Sequence, residues 1–320
     1  MIKFAGIDIL SEPATFLWLI EESIIWAPKI KQYPEGIFVV SNCFILTFEH
    51  SRLEKPKLIR AFVSNYLMSV FGHFGFRVER FVDKSKVQDF LDQLRPITTE
   101  VELIRIGGND DGGYLIPNDL GGIIALFSPG VAETATFELE IAQKGIKSYL
   151  ADYSVDNSPS EHEYIEFDKK FIGSRNNDQF MTLAEWVNSK QLPEVGDLLL
   201  QMDIEGSEYE TILSTANDLL GRFRILVIEF HFLDKVSTYF GNKLIIETFS
   251  KLLTQFKIVH IHPNNCCAPI LIHGKRIHPC IEVTFFRRDR FEKSNPTTSF
   301  PHALDRPNIK GKPDYQLILK

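Results

Sequence analysis

The sequence predicts an α/β chain built on a mostly parallel sheet covered by helices on both faces. Three observations point that way. From about residue 100 onward, short apolar runs rich in β-branched residues alternate with segments of helical period about ten to fifteen residues long. The runs "GIIALF" and "DLLLQM" are apolar almost throughout, as befits strands buried on both sides. Polar and charged residues collect where these runs end.

The first hundred residues read differently, as an N-terminal α+β extension (1–100) ahead of a main domain (101–320) with an irregular tail. "ATFLWLIEESIIW" has helical spacing and should stop near Pro28. Its Trp18/Trp26 face reads as buried rather than lipid-facing, because the flanks are acidic. "GIFVVSNCFILTFE" reads as one or two strands, "KPKLIRAFVSNYLMSVFGHFGF" as a helix, and "SKVQDFLDQLRP" as a short helix stopped by Pro96.

In the main domain, "GIIALFSPG" is a buried strand running into a glycine turn, and "ATFELEIAQKG" a helix closed by Gly145. "IKSYLADY" is a second strand. "HEYIEFDKKFIG" is a third, shorter one with a trailing loop. "MTLAEWVNSK" is a helix, "DLLLQMDIEG" a fourth strand and turn, and "SEYETILSTANDLL" one helix. "FRILVIEFHF", "NKLIIETFSKLLTQF" and "KIVHIHPNN" give strand, helix and strand, and "CIEVTFFRR" closes the series. The tail, 287–320, is rich in Pro, Asn and Lys and should wrap the surface. Ahead of the first strand, "RIGGNDDGGYLIP" is open to two readings: close backbone approach to a ligand, or an Asp-Gly hairpin.

The chain has 320 residues and a net charge of -7. Mild acidity argues against nucleic-acid binding. No apolar run is long enough to span a bilayer, and no basic segment followed by an apolar run opens the chain. A soluble, cytoplasmic protein without a transmembrane segment is expected. Cys43, Cys266, Cys267 and Cys280 form no C-x-x-C pair, so a zinc ribbon or thioredoxin-type motif is not expected, and a reducing compartment fits.

In an open α/β sheet, ligands bind outside the carboxyl ends of the strands. Asp203 ends the fourth strand, Glu205 follows, and Gly206 lets the chain turn. Glu208 and Glu210 read as helix-start charges that suit the dipole. The first strand ends in Ser128-Pro129-Gly130-Val131. The second ends at Asp152, an acid suited to a ribose diol about twenty residues after a glycine turn. The fifth ends in Glu229-Phe230-His231 and the sixth in His260 to Asn265. Neither G-K-[ST] nor an intact G-x-G-x-x-G is present, which disfavours pyrophosphate binding.

Together "IGGNDDGGYLIP", "LFSPGVAETATFELEIA", "LLLQMDIEGSEYETIL", "LVIEFHFL", "IVHIHPNNC" and "IEVTFFRR" resemble the FkbM-type methyltransferases over roughly residues 102–288. "MDIEGSE" is the most specific, set against the family pattern K-[MI]-D-[IV]-E-G-[AS]-E. The resemblance implies a seven-stranded Rossmann-like methyltransferase sheet and S-adenosylmethionine as cofactor. It implies that Ser128, Gly130 and Val131 line the methionine and ribose end, and that Asp152 holds the ribose hydroxyls. Asp111, Gly112, Gly113 and Tyr114 would lie near the cofactor or the crevice mouth. Asp203 and Glu205 would face the reacting centre, Asp203 beside the cofactor, with His231, His262, Asn264 and Asn265 on the substrate side. Two positions depart from the pattern: Gln201 stands where the family usually has Lys, and "SPGVAET" replaces D-x-G-A-N-x-G.

Methyl transfer to an alcohol needs a positioned acceptor and a group to take its proton. His231 is the first choice as general base and His262 the second. Asp203 would orient that base, or share a divalent metal (Mg or Mn) with Glu205 and a histidine. The expected acceptor is a hydroxyl on a sugar, glycan or other small metabolite. The rival readings are a nicotinamide-dependent oxidoreductase on the same architecture and a non-catalytic scaffold that kept the fold.

Overall fold

The computed structural model describes residues 81–109, 111–315 and 317, together with 3–4, 7–8, 37–40, 44–47, 69, 72 and 73. The chain divides into two compact units, Met1–Glu79 and Arg80–Lys320. In the first, β1 (Lys3–Phe4) pairs antiparallel with β2 (Ile7–Asp8), and β3 (Ile37–Val40) with β4 (Phe44–Thr47). "GIFVVSNCFILTFE" thus contains two strands. The helix expected over 14–26, with Trp18 and Trp26, lies outside the described residues, as does most of that expected over 55–76.

The second unit begins earlier than the expected boundary at residue 100. Helix α1 (Lys84–Gln93) buries Val87, Phe90 and Leu91 on one face and ends before Pro96. These residues and Leu94 belong to the unit's main core. Then follow β5 (Ile97–Thr99), β6 (Leu103–Ile106), β7 (Tyr114–Pro117), β8 (Ile123–Pro129), α2 (Thr136–Gln143), β9 (Lys147–Ala151) and β10 (Ile165–Asp168). The chain continues with β11 (Phe171–Gly173), β12 (Phe180–Thr182), α3 (Leu183–Ser189), β13 (Asp197–Met202), α4 (Glu208–Ser214), α5 (Asn217–Leu220) and β14 (Phe223–Phe230). It closes with α6 (Tyr239–Gln255), β15 (Phe256–Pro263), β16 (Ile270–Ile272), β17 (Lys275–Ile277), β18 (Ile281–Arg287) and β19 (Ser294–Pro296).

Seven strands form the central sheet in the order β10-β9-β8-β13-β14-β18-β15. Only β18 runs antiparallel to its neighbours. Numbered within the sheet, the order is 3-2-1-4-5-7-6, the Rossmann-like methyltransferase sheet that the resemblance implies. It reverses direction of growth between β8 and β13, which makes that pair the topological switch point.

Side chains alternate along each strand and sort into two cores. Ala125, Phe127, Leu198, Leu200, Leu226 and Ile228 face α1, α3, α4 and α6. Leu126, Leu199, Ile225 and Val227 face α2 and the β6–β7 hairpin. Apolar packing on both sides explains why β13 and β14 read as unbroken apolar runs. Both faces carry helix, though the second is covered as much by hairpin as by α2.

One reading left open by the sequence takes its hairpin form, and three local features differ from the sequence reading. "RIGGNDDGGYLIP" is the hairpin β6–β7. The loop after β10 contains β11, which pairs with β12. The helix expected over 207–220 breaks between α4 and α5. There Thr215 turns its hydroxyl back onto the Thr211 carbonyl at 2.7 Å, and the Lys251 ammonium donates to the Leu213 carbonyl at 2.9 Å. The hairpin β16–β17 and the pairing of β19 with β5 were not anticipated. Among the described residues no helix is long and apolar enough to cross a membrane.

Candidate active site

The carboxyl ends of β8, β9 and β13 are joined by their backbone. The Gly130 N–H donates to the Ala151 carbonyl at 2.9 Å, and the Asp203 N–H to the Pro129 carbonyl at 3.2 Å. Only glycine fits position 130: φ is +88°, and a Cβ would stand 1.5 Å from the Asp203 carbonyl oxygen. Asp152 follows β9 directly and is buried. Its Oδ2 accepts from the Ala132 N–H at 2.9 Å, and its Oδ1 from the Ser154 N–H and hydroxyl, each at 2.7 Å. Asp152 therefore ties the turn after β8 to the turn after β9. Val131 is buried against Ala135 and Leu150.

Ser128 points away from this edge, into the sheet face covered by the hairpin. Its side chain is fully buried between Glu138 and Gln201. One hydroxyl has one proton, yet both neighbours offer carbonyl-type oxygens. A proton on Glu138 satisfies the count. Burial lifts that carboxyl to about 7, against the pull of the Ser128 hydroxyl. The Ser128 hydroxyl thus bridges Glu138 and Gln201, the latter at 2.5 Å, and the Gln201 amide donates to the Tyr114 hydroxyl at 3.2 Å. Gln201 thus acts as a neutral link in a buried chain. Ser128 and Tyr114 are members of that chain rather than walls of an open crevice.

At the ends of β13 and β14 a second polar group assembles around His231. Its Nδ1 lies 3.1 Å from Glu208 Oε1. Its Nε2 faces three carboxylates: Glu205 Oε2 at 3.5 Å, Glu229 Oε1 at 3.7 Å and Asp203 Oδ1 at 3.8 Å. Glu208 is wholly buried, and the same Oε1 accepts the N–H groups of Ile204 and Gly206 at 3.2 and 3.0 Å. It folds back from the helix start and fixes the turn that carries Asp203 and Glu205. The Tyr209 hydroxyl fixes the other side by donating to the His231 carbonyl at 2.7 Å.

Burial alone would strip the proton from His231. The hydrogen bond and charge of Glu208, then the charges of Glu229 and Asp203, outweigh it and hold the imidazole up to about 9. Burial lifts Asp203 to about 7, opposed by His231 and reinforced by Glu205 and Glu208. Glu229 is raised well above the usual range by burial, then by Asp203 and Glu282. At neutral pH His231 is an imidazolium. The carboxylates around it hold its proton, which the imidazole must give up before it can act as a base.

The residues expected on the substrate side have other partners. His262 is 3 % exposed, with Nδ1 3.4 Å from Glu282 and Nε2 3.2 Å from Asp314 in the tail. Burial opposes its charge, but Glu282, Asp305 and Asp314 raise it to about 9. It is a buried ion-pair partner of the tail rather than a second base. Asn265, 1 % exposed, donates to the Ile309 carbonyl at 3.0 Å, so it anchors the tail as well. Asn264 donates to Glu229 Oε1 at 2.8 Å and supports the cluster from behind. The hairpin tip comes close too: Asp111 is exposed, its charge acts on Asp203, and it lies 3.4 Å from Asn308 of the tail. Gly112 has φ +82°, and Gly113 packs against the Gly108 carbonyl.

Two members of the cluster escaped the sequence reading. Glu208 was read as a dipole charge, and Glu229 was not singled out. Glu229 and His231 are two apart on one strand end, which puts them on one side, and that spacing was visible. Backbone strain marks the same edge. Of five non-glycine residues with positive φ among those described, Ala132, Glu205 and Phe232 follow β8, β13 and β14. Cavities of about 330 Å³ between β5 and β15 and about 610 Å³ along α2 contain no residue of the cluster.

A comparison with curated proteins gives no match. A solved fibrillarin/Nop5p complex is similar over 52 % of this chain and 73 % of that chain, at 17 % identity and a TM-score of 0.32. The sequence matches the methyltransferase FkbM domain over residues 88–256, from within α1 to the start of β15 and more than half of the chain. That span holds the glycine turn at 130, the "MDIEGSE" turn and His231, so the chain belongs to the FkbM methyltransferase family.

Proposed function

We propose that the chain transfers the methyl group of S-adenosylmethionine to a hydroxyl of a sugar, glycan or other small metabolite. The observation that carries this reading is the cluster of Asp203, Glu205, Glu208, Glu229 and His231 just beyond β13 and β14, in backbone contact with the Gly130 turn. Four carboxylates around one imidazolium make an acidic edge. Such an edge attracts a cationic sulfonium and disfavours the anionic pyrophosphate of a nicotinamide cofactor. Asp152, oriented by Ala132 and Ser154, would be the acid that takes the ribose hydroxyls. The turn at Gly130 and Val131 would pass the methionine end.

Bound there, S-adenosylmethionine would supply an activated methyl group to the acceptor hydroxyl, with S-adenosylhomocysteine as the leaving product. The hydroxyl proton passes to the carboxylate cluster. Asp203, lifted to about 7, is the member poised to accept it near neutral pH. His231 stays protonated and holds the carboxylates in place. The test is incubation with methyl-labelled S-adenosylmethionine and hydroxyl acceptors from fractionated extract. The expected result is one label transferred per S-adenosylhomocysteine formed. Tight binding of NADH with none of S-adenosylmethionine would favour the oxidoreductase reading and overturn this one.

A further inference from the structure

We propose that the His231 cluster is a divalent transition-metal site of the manganese class, with Asp203, Glu205, Glu229 and His231 as ligands. The site does not depend on what the chain methylates. Three carboxylate oxygens lie 3.5 to 3.8 Å from one atom, Nε2 of His231. These separations lie at or beyond the hydrogen-bond limit. A cation about 2.2 Å from each donor would set neighbouring donors about 3.1 to 3.6 Å apart, so Asp203, Glu205 and His231 must draw in, and Glu229, which groups with His231 but not with the two other carboxylates, must move further to join them. The groups Asp203, Glu205, His231 and Glu229, His231, Cys280 each bring their ligand atoms within 4.8 Å of one another.

Two further observations point to a ligand rather than to a solvated acidic patch. Glu229 is 4 % exposed, yet its Oε2 has no hydrogen-bond partner, and neither does the buried Oδ1 of Asp203. Orphaned carboxylate oxygens at this depth are costly unless a proton or a cation completes them. Glu208 also holds Nδ1 of His231 at 3.1 Å. Metal-bound histidines characteristically donate their second N–H to a carboxylate in this way; a metal arriving at Nε2 displaces the proton of that nitrogen, and Nδ1 keeps the one held by Glu208.

The donor set decides the class. Three oxygens and one imidazole suit manganese better than a soft-ligand zinc site. Cys280 lies close enough to compete, but its thiol donates to Glu229 Oε1 at 2.8 Å, and burial pushes it far up, so it stays protonated. Four protein ligands leave two positions of an octahedron for water or an acceptor oxygen.

The experiment uses the full chain, freed of metal by chelator and titrated with MnCl2 while free Mn(II) is followed by electron paramagnetic resonance. The expected result is one Mn(II) per chain, bound in the micromolar range, with nitrogen modulation from an imidazole in the spin-echo spectrum. Glu229→Gln and Asp203→Asn should each weaken binding about tenfold or more, and Glu208→Gln should do so from outside the shell. Exposed Glu210→Gln should leave it unchanged. No stoichiometric Mn(II), no nitrogen modulation in the unaltered protein, or affinity indifferent to Glu229→Gln would each overturn the proposal. So would zinc bound in place of manganese and lost in Cys280→Ser.

Discussion

Replacing Glu208 with glutamine in the chelator-treated protein should separate charge from shape at His231. The imidazole is held near 9 against an ordinary 6.5. At about 1.4 kcal/mol per tenfold change in acidity, that difference corresponds to roughly 3 to 4 kcal/mol of linkage. The group is only 15 % exposed, so solvent screening discounts it little. Because the folded value is raised, the contribution is complete below pH 6.5, fades as pH rises, and is gone above about 9. Glu208 supplies the largest of the raising interactions, so Glu208→Gln should lower the His231 midpoint by about one unit or more. The amide oxygen can still accept from Ile204 and Gly206. Its NH2 would sit where Glu208 Oε2 has no partner, adding a pH-independent cost of about 1 to 3 kcal/mol. The assay is an NMR titration of the His231 Cε1 proton, paired with urea unfolding at pH 6 and pH 10. His262 titrates in the same range in both proteins and cancels. The stability gap should be larger at pH 6. An unmoved midpoint, or an equal gap at both pH values, would refute the reasoning.

Three more outcomes are expected. Gly130→Ala drives a Cβ into the Asp203 carbonyl and adds a left-handed penalty, so it should cost roughly 3 kcal/mol or more in urea unfolding and abolish S-adenosylmethionine binding. Arg224, 5 % exposed, donates to Asp197 at 2.7 Å and to the Asp119 and Gly121 carbonyls. Arg224→Met should cost about 3 kcal/mol at neutral pH. Burial pushes Asp197 up but Arg287 and Arg224 outweigh it and hold it low, so the gap should narrow in acid as Asp197 protonates. Asp152→Ala should weaken S-adenosylmethionine about tenfold or more by calorimetry, since it loses the ribose acceptor and loosens the Ala132 turn.

Much of the fold was legible because it rests on local pattern. Apolar runs such as Leu198–Leu200, flanked by helical segments, mark a sheet covered on both sides. The sheet type, and with it the strand order, came from the family resemblance rather than from the segments themselves. What escaped depends on distant partners or very short elements. The break after α4 is set by Lys251, far along the chain. The three-residue strands β16 and β17 bury only Ile272 and Ile277 and leave Ile270 and Leu271 exposed, so no run of alternating burial announces them. Their turn depends on His273 and Gly274 both taking positive φ. At the site, the strand ends and the residue types could be read, but not the division of labour. The charge on His231 comes from carboxylates on two strands and a helix start. The fate of Ser128 and Asn265 comes from what covers them.

Hydrogen exchange in the presence of S-adenosylmethionine tests the central claim most directly, that neighbouring strand ends form one cofactor crevice. Slowed exchange is expected together at the turns 130–132, 152–154 and 203–208, with the rest of the sheet unchanged. Protection confined to the cavity between β5 and β15, or none at any saturating concentration, would contradict the account.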